Sequence, residues 1–318
     1  MPHRPDPWHG AHSYQRFRAV LGDTKLRYAL RHGRLVQPWR GVVVPRERMG
    51  DPRTMAAAAL MAIGGGAVLS GFTAASMYGC AAADTHQVHV TVPYSRWPRS
   101  RPGLVIRHSR FATDDVVELD GLPVLAPDLV FSELLCTGPR PTALACADQL
   151  MRSLPGDLQP VFREQMHHRL DRRDDRRGVS GAHAMVDLIT ERVETPQESW
   201  LRLLVVDHGF PLPESQYEVR DRDGTPLRRV ALAWPELRIA LAYSGPDRRP
   251  LDSARDAGQD RALSRKGWIS VRAGAADLRA PTALMTRLWA AFRQRRAAGC
   301  GDQVGPRPAQ GLVRRSLT

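Results

Sequence analysis

The stretch RRVALAWPELRIALAYSGPDRR, Arg228 to Arg249, decides the fold class of the second half of this 318-residue chain. Two apolar runs flank the dipeptide Pro235-Glu236, the first over 229–234 and the second over 237–243. β-Branched and aromatic residues favour strands, and a proline between two such runs marks a turn. The stretch therefore predicts an antiparallel hairpin.

The length of the turn sets the register of that hairpin. A two-residue turn at Pro235-Glu236 pairs Trp234 with Leu237 and places Ala231 opposite Ala240. Ala242 would then lie on the same face, diagonal to Ala231 and roughly 7–8 Å away.

Helices and strands alternate around the hairpin. The sequence predicts helices at 197–208, 256–266 and 281–296 and strands at 215–221 and 268–272. These elements predict an α/β domain at 195–296. The Gly-, Pro- and Arg-rich segment 299–318 is expected to be a disordered tail.

The N-terminal part has a different plan. A helix over 24–32, capped by Asp23 and ended by Gly33, precedes a short hairpin that ends at Pro45. A helix, a glycine and a two-stranded wing are typical of a winged helix-turn-helix, here at 12–48. In that architecture the helix enters the major groove. Phosphate or base contacts would come from Lys25, Arg27, Arg31, Arg34 and Arg40. The alternative is a small helical cap whose charged face is only solvated.

The segment 51–190 reads as an α+β domain with a first helix near 53–63 and strands at 86–92 and 104–108. Its histidines His86, His89 and His108 are interpreted as ordinary sheet residues, since the first two would point to opposite faces of a strand. The charged run 171–178 predicts a linker or an exposed helix end.

Composition indicates the class of partner. Lys plus Arg number 46 against 33 Asp plus Glu, which gives a formal net charge of +13. Nearly all of the positive charge is guanidinium, whose planar fork suits phosphate, although a GC-rich coding sequence alone would also favour Arg over Lys. The excess over acids favours a nucleic-acid partner.

No apolar run reaches the ~18 residues of a membrane span, and the N-terminal prolines do not suit a signal peptide. The sequence therefore predicts a cytoplasmic protein with no membrane partner. The four cysteines lack the spacing of a zinc site or a disulfide framework, and the first three are expected to be buried thiols.

Several phrases, in their order along the chain, resemble one bacterial family. They are LSGFTAASMYG, VHVTV, DGLPVLAPDLVFSELL, TPQESWLRLLVVDHGFPLPESQYEV, RVALAWPELRIALAYSG and LSRKGWISVR. The N-terminal part of that family resembles abortive-infection AbiEi-type antitoxins. Its C-terminal domain is similar to very-short-patch-repair endonucleases. The resemblance implies an α+β multidomain chain that ends in a restriction-endonuclease-like (PD-(D/E)xK) domain.

Family members with an intact nuclease motif carry three acids, which the resemblance places at positions 198, 231 and 242. Here they are Glu198, Ala231 and Ala242. Mg²⁺ needs several oxygen ligands, and two alanines supply none. The resemblance therefore implies no catalytic residue, no metal and no cofactor, with Glu198 as a remnant. We expect the chain not to be an enzyme.

The rest of the motif is partly kept. Tyr243 and Gly245 match, whereas Ser244 and Arg248 replace an Asp and a His. Asp247 is the one substitute acid that the sequence offers for a displaced Mg²⁺ site.

Three functions follow from these observations. The first is an antitoxin-like regulator that binds double-stranded DNA and carries an inactive nuclease-like domain. The second is a metal-dependent DNA endonuclease with a displaced acidic site. The third is a module that binds and neutralises a toxin protein.

Overall fold

The computed structural model describes residues 8–83, 86–220, 223–245 and 250–298, with side chains from 258 onward in the last range. These residues form two compact units. The first unit takes in the described residues up to Leu150 together with Leu154–Leu188, and the second takes in Met151–Ser153 and the residues from Ile189. The predicted mixed α+β multidomain class is confirmed.

The chain begins with a small three-stranded segment. Its elements are β1 (His12–Ser13), α1 (Tyr14–Leu21), α2 (Asp23–Arg31), β2 (Leu35–Val36) and β3 (Val42–Pro45), with sheet order β1-β3-β2. The prediction that Asp23 caps the helix was wrong, because α2 already begins at Asp23 and Gly22, with φ of 80°, is the cap. Leu26 is fully buried and anchors α2.

The rest of the first unit is an α+β layer structure. Its elements are α3 (Pro52–Ile63), β4 (Val68–Leu69), α4 (Gly71–Met77), β5 (Val88–Val92), β6 (Leu104–His108), β7 (Val116–Leu119), β8 (Leu122–Leu125), α5 (Pro127–Thr137), α6 (Arg140–Ser153), α7 (Leu158–Asp171) and α8 (Val179–Leu188). The five strands lie in the order β6-β5-β4-β8-β7.

Side-chain hydrogen bonds join the N-terminal segment to this sheet layer. The Nε2 of His9 lies 2.7 Å from the carbonyl oxygen of Asp120, and the indole N–H of Trp39 donates to the carbonyl of Pro102 at 2.9 Å. Residues 12–48, 51–150 and 154–188 therefore pack as one unit. The boundary between the two domains expected there stays a prediction.

The charged run at 171–178 begins at the exposed end of α7 and connects α7 to α8, so most of its residues are exposed, in agreement with its interpretation as an exposed helix end, whereas Arg173 is packed. The Arg173 side chain is only 12% exposed and donates to Glu133 at 2.8 Å. Gly178, with φ of 76°, lies against the backbone carbonyl of Cys136. Arg173 and Gly178 hold this connection against α5, through Glu133 and the carbonyl of Cys136.

Of the predicted buried thiols, Cys80 and Cys146 are buried, whereas Cys136 is only half-buried and was predicted wrongly. Cys136 lies near the end of α5, where side chains of the charged run surround it. Cys300 and the predicted tail lie outside the described residues.

The second unit consists of α9 (Pro196–Asp207), β9 (Glu214–Arg220), β10 (Pro226–Trp234), β11 (Ile239–Ser244), α10 (Pro250–Arg265), β12 (Ile269–Gly274), α11 (Ala275–Arg279) and α12 (Thr282–Ala297). The sheet order is β12-β11-β10-β9, with β11 and β12 parallel and the other neighbours antiparallel. Its main core combines Leu201 of α9, Leu232 and Leu241 of the hairpin, and Leu288 and Phe292 of α12.

The predicted hairpin exists, but its predicted register was wrong. Trp234 pairs with Ile239, and Ala233 rather than Ala231 pairs with Ala240. The connection has four residues, a 3-10 turn at Pro235–Leu237 followed by Arg238 in the left-handed conformation at φ of 48°. These two extra residues move the second strand along the first.

Candidate functional site

The exposed face of α2 carries the first group of predicted site residues. Lys25, Arg27 and Arg31 are all exposed. Arg27 forms an ion pair of 2.5 Å with Asp23, one helical turn earlier. Lys25 and Arg31 lie on the side of the helix away from the buried Leu26.

The centre of that face is an aromatic residue that the sequence interpretation missed. Tyr28 lies about 200° around the helix from Leu26 at 3.6 residues per turn, and the residue is 52% exposed. Its ring stacks on His32 with centroids 3.8 Å apart. A large aromatic residue opposite the buried anchor of an amphipathic helix was the signal that could have identified it.

The hairpin next to α2 carries the other two predicted residues. The guanidinium carbon of Arg34 lies 5.9 Å from the centroid of the Tyr28 ring, which joins the start of the hairpin to the helix face. Arg40 is exposed in the turn between β2 and β3, where Gly41 supplies a φ of 89°. Lys25, Arg31, Arg34 and Arg40 thus all belong to one small substructure.

Basic residues greatly outnumber acidic ones in this N-terminal substructure. Residues 8–46 contain one acid, Asp23, and eight basic residues: Arg16, Arg18, Lys25, Arg27, Arg31, Arg34, Arg40 and Arg46. Because Asp23 is paired with Arg27, the face has an uncompensated positive potential, which attracts phosphate.

The second unit contains the three positions of the nuclease motif. Pairing between β10 and β11 runs from Trp234 to Leu232, and Ala231 and Ala242 come immediately beyond it. Ala231 packs against the main core of the unit, whereas Ala242, which is 4% exposed, pairs with Arg272 of β12. Methyl groups at both positions provide no metal ligand.

Glu198, the predicted remnant of the nuclease motif, has a structural role at the start of a helix. Together with Thr195 it forms a capping box at the start of α9. Its carboxylate accepts the backbone N–H of Glu194 at 2.8 Å and of Thr195 at 3.3 Å, and the side-chain amide of Gln216 at 2.9 Å. A carboxylate with three donors is already well satisfied.

A cluster that the sequence interpretation missed lies on the strands next to Ala242. Asp260 of α10 accepts Arg228 of β10 at 2.8 Å and the Nε of Arg272 at 2.6 Å. The hydroxyl of Ser270 donates to the same carboxylate at 3.0 Å. Asp260 was hard to find because its partners come from two strands far apart in sequence.

Two tryptophans of the second unit, Trp234 and Trp268, are packing residues. Trp234 is buried, and its N–H donates to the carbonyl of Pro211 at 2.8 Å. Trp268 is half-buried and lies 5.7 Å from the Tyr217 ring, centroid to centroid. Asp247, the substitute acid for a displaced metal site, and Arg248 lie outside the described residues.

Within the described ranges, no three His, Cys, Asp or Glu side chains gather where they could hold a metal ion. None of the described helices is long and apolar enough to cross a membrane.

Comparisons with known proteins give several matches. Residues 66–189 match the family model of the AbiEi antitoxin C-terminal domain. Two uncharacterized proteins of Mycobacterium tuberculosis, MT2308 of strain CDC 1551 and Rv2248 of strain H37Rv, are each 31% identical over 278 residues, which are 86% of this chain and 98% of theirs. The crystal structure of the RV2827C protein from the same species aligns with 66% of this chain and 83% of its own, at 19% identity and a TM-score of 0.40.

These matches extend over nearly the whole length of the two uncharacterized proteins, at an identity above 30%. Residues 66–189 are similar to the AbiEi antitoxin C-terminal domain, and the chain as a whole belongs to the family of these two uncharacterized proteins.

Proposed function

We propose that this protein is an antitoxin-type regulator that binds double-stranded DNA through α2 and the adjoining hairpin. In this proposal residues 12–48 are a winged helix-turn-helix, α2 lies in the major groove, and Arg40 follows the phosphate backbone beside it. The observation that carries the proposal is the exposed, almost wholly basic face centred on Tyr28.

The AbiEi domain supports the regulatory part of the proposal. A domain of an antitoxin family next to a basic helix fits a protein that binds DNA, a toxin protein, or both. We place the toxin contact in the first unit because the matched residues, 66–189, lie there almost entirely.

A titration at several salt concentrations tests DNA binding. Each phosphate contact contributes about 0.9 to the slope of log affinity against log salt. Replacing Lys25, Arg31 and Arg40 together by Gln should therefore flatten the slope by roughly 2.7 and weaken duplex binding severely. Fluorescence anisotropy of a labelled duplex measures both quantities.

The matched control removes the same charge elsewhere. Arg265, Arg293 and Arg296 are exposed residues of α10 and α12, and their replacement by Gln also removes three positive charges. If both triple variants lose affinity equally, the positive charge acts as a diffuse field and α2 is not the element that contacts the DNA. If neither loses affinity, the DNA-binding proposal fails.

We further propose that the second unit is a restriction-endonuclease-like domain that does not cut DNA. Support comes from the mixed sheet that contains the β10–β11 hairpin and from alanine at two of the three motif positions. Supercoiled plasmid incubated with the protein and Mg²⁺ or Mn²⁺ should stay intact. Nicking that disappears in an Asp247→Ala variant would establish a displaced site instead.

A further inference from the structure

The loop between β5 and β6 presents a second aromatic and basic surface, separate from α2. Trp97 is 77% exposed and Tyr94 is 55% exposed. Both rings lie against His108 at the end of β6, with centroid distances of 4.5 Å for Trp97 and 6.3 Å for Tyr94. We call these three residues with the exposed Arg99 and Arg110 the loop patch.

The loop patch is held in place rather than loosely attached. The imidazole of His108 donates from Nε2 to the carbonyl oxygen of Arg96 at 3.0 Å. Arg96 and Arg101 in turn donate to carbonyls at the end of α3, those of Ile63 at 3.1 Å and Ala62 at 2.7 Å. The loop therefore fixes the Trp97 ring before any ligand arrives, which lowers the entropic cost of binding.

The charge around the rings has one sign. From His86 to Thr113 the chain contains no acid and five arginines: Arg96, Arg99, Arg101, Arg107 and Arg110. The loop patch thus combines exposed rings with a local excess of guanidinium groups.

From this combination we infer that the loop patch binds single-stranded nucleic acid, with unpaired bases stacked on Trp97 and the phosphates held by Arg99 and Arg110. Bases stack on aromatic side chains whatever their sequence, and a basic groove follows the backbone. Duplex DNA hides the faces of its bases inside the stack, so this site takes strands or ends that are not paired. An acidic protein surface would satisfy the arginines, but it would not require a ring whose face is presented to solvent.

Two labelled probes, oligothymidylate and oligouridylate, test the inference, because neither pairs with itself and they represent DNA and RNA. Base stacking on one aromatic residue contributes ~1–3 kcal/mol, so Trp97→Ala should weaken binding by about 5- to 150-fold. Trp97→Phe keeps a ring and should retain most of the affinity. The more tightly bound probe identifies the kind of strand.

Controls separate the loop patch from other effects. Leu158→Ala removes an exposed apolar side chain of the same unit, on α7, and should leave binding unchanged. Arg99→Gln with Arg110→Gln should flatten the salt dependence more than Arg293→Gln with Arg296→Gln.

Either of two results overturns the inference. Unchanged affinity of the Trp97→Ala variant for both probes would leave an acidic protein surface as the occupant. An equal loss in the variant lacking Lys25, Arg31 and Arg40 would show that strands bind at α2 instead. Failure of duplex binding alone leaves the inference standing, because the two experiments use different probes and different variants.

Discussion

Replacing Glu198 separates a structural role for this residue from a metal-binding one. The carboxylate accepts three hydrogen bonds, from the backbone of Glu194 and Thr195 and from Gln216. A net hydrogen bond contributes about 0.5–1.5 kcal/mol, and the half-buried position argues for the lower part of that range. Glu198→Ala should therefore destabilise the second unit by about 1.5–3 kcal/mol.

Glu198→Gln is the matched variant, since Gln also completes a capping box. It keeps an acceptor oxygen and loses only the charge near the start of α9, which contributes about 0.3–1 kcal/mol. Urea denaturation followed by tryptophan fluorescence measures both variants, because Trp200, Trp234, Trp268 and Trp289 all belong to the second unit.

Equal destabilisation by Ala and Gln would refute the capping argument, because it would mean that the charge itself is what Glu198 contributes. A second arm adds Mg²⁺ to the wild-type protein and to Glu198→Gln. The capping role predicts that the urea midpoint of each protein is the same with and without Mg²⁺. A midpoint raised by Mg²⁺ only in the wild type would indicate a working metal site.

Three other predictions concern the first unit. Gly178→Ala should lower the thermal stability clearly more than Gly79→Ala does. Both glycines have φ above 70°, a conformation that costs Ala about 1–2 kcal/mol. Of the two, Gly178 is the position where the new methyl group would overlap a backbone carbonyl. Burial raises the pKa of the Cys136 thiol to about 11, so alkylation should show a midpoint there. Because the pKa is higher in the folded state than in the unfolded state, the protonated thiol contributes fully to the free energy of unfolding below about pH 8.5. This contribution is lost as the pH rises toward 11. Trp39→Phe removes the bond to the Pro102 carbonyl and should cost about 0.5–1.5 kcal/mol.

The two strands of the opening stretch could be predicted because apolar residues and a central proline leave few alternatives. The register in which the two strands pair could not be predicted. It depends on Arg238 adopting a left-handed conformation, which is uncommon for a non-glycine residue and carries no sequence signal. A two-residue turn was the simplest assumption, and the real connection of four residues displaced every predicted pair.

Some residues of the candidate sites could also be predicted from the sequence, and others could not. The basic residues of α2 could be identified because charge and helical spacing are visible in the sequence. Asp260 could not be identified, because its role depends on ion pairs with Arg228 and Arg272, which lie on two different strands. Arg173 looked like part of a solvated run, and only the position of Glu133 on α5 shows why it is nearly buried.

The division of the chain near residue 188 has a consequence for synthesis. The first unit has all of its residues once Leu188 is made, whereas the described residues of the second unit run on from Ile189 to Ala298. At about 5–20 residues per second those 110 residues take roughly 5–22 s to translate. Met151–Ser153, which belong to the second unit, are made first and must wait for their partners, such as the carbonyl of Val193 that Arg152 binds. The antitoxin-like part of a nascent chain can thus fold on the ribosome while the second sheet has not yet been made.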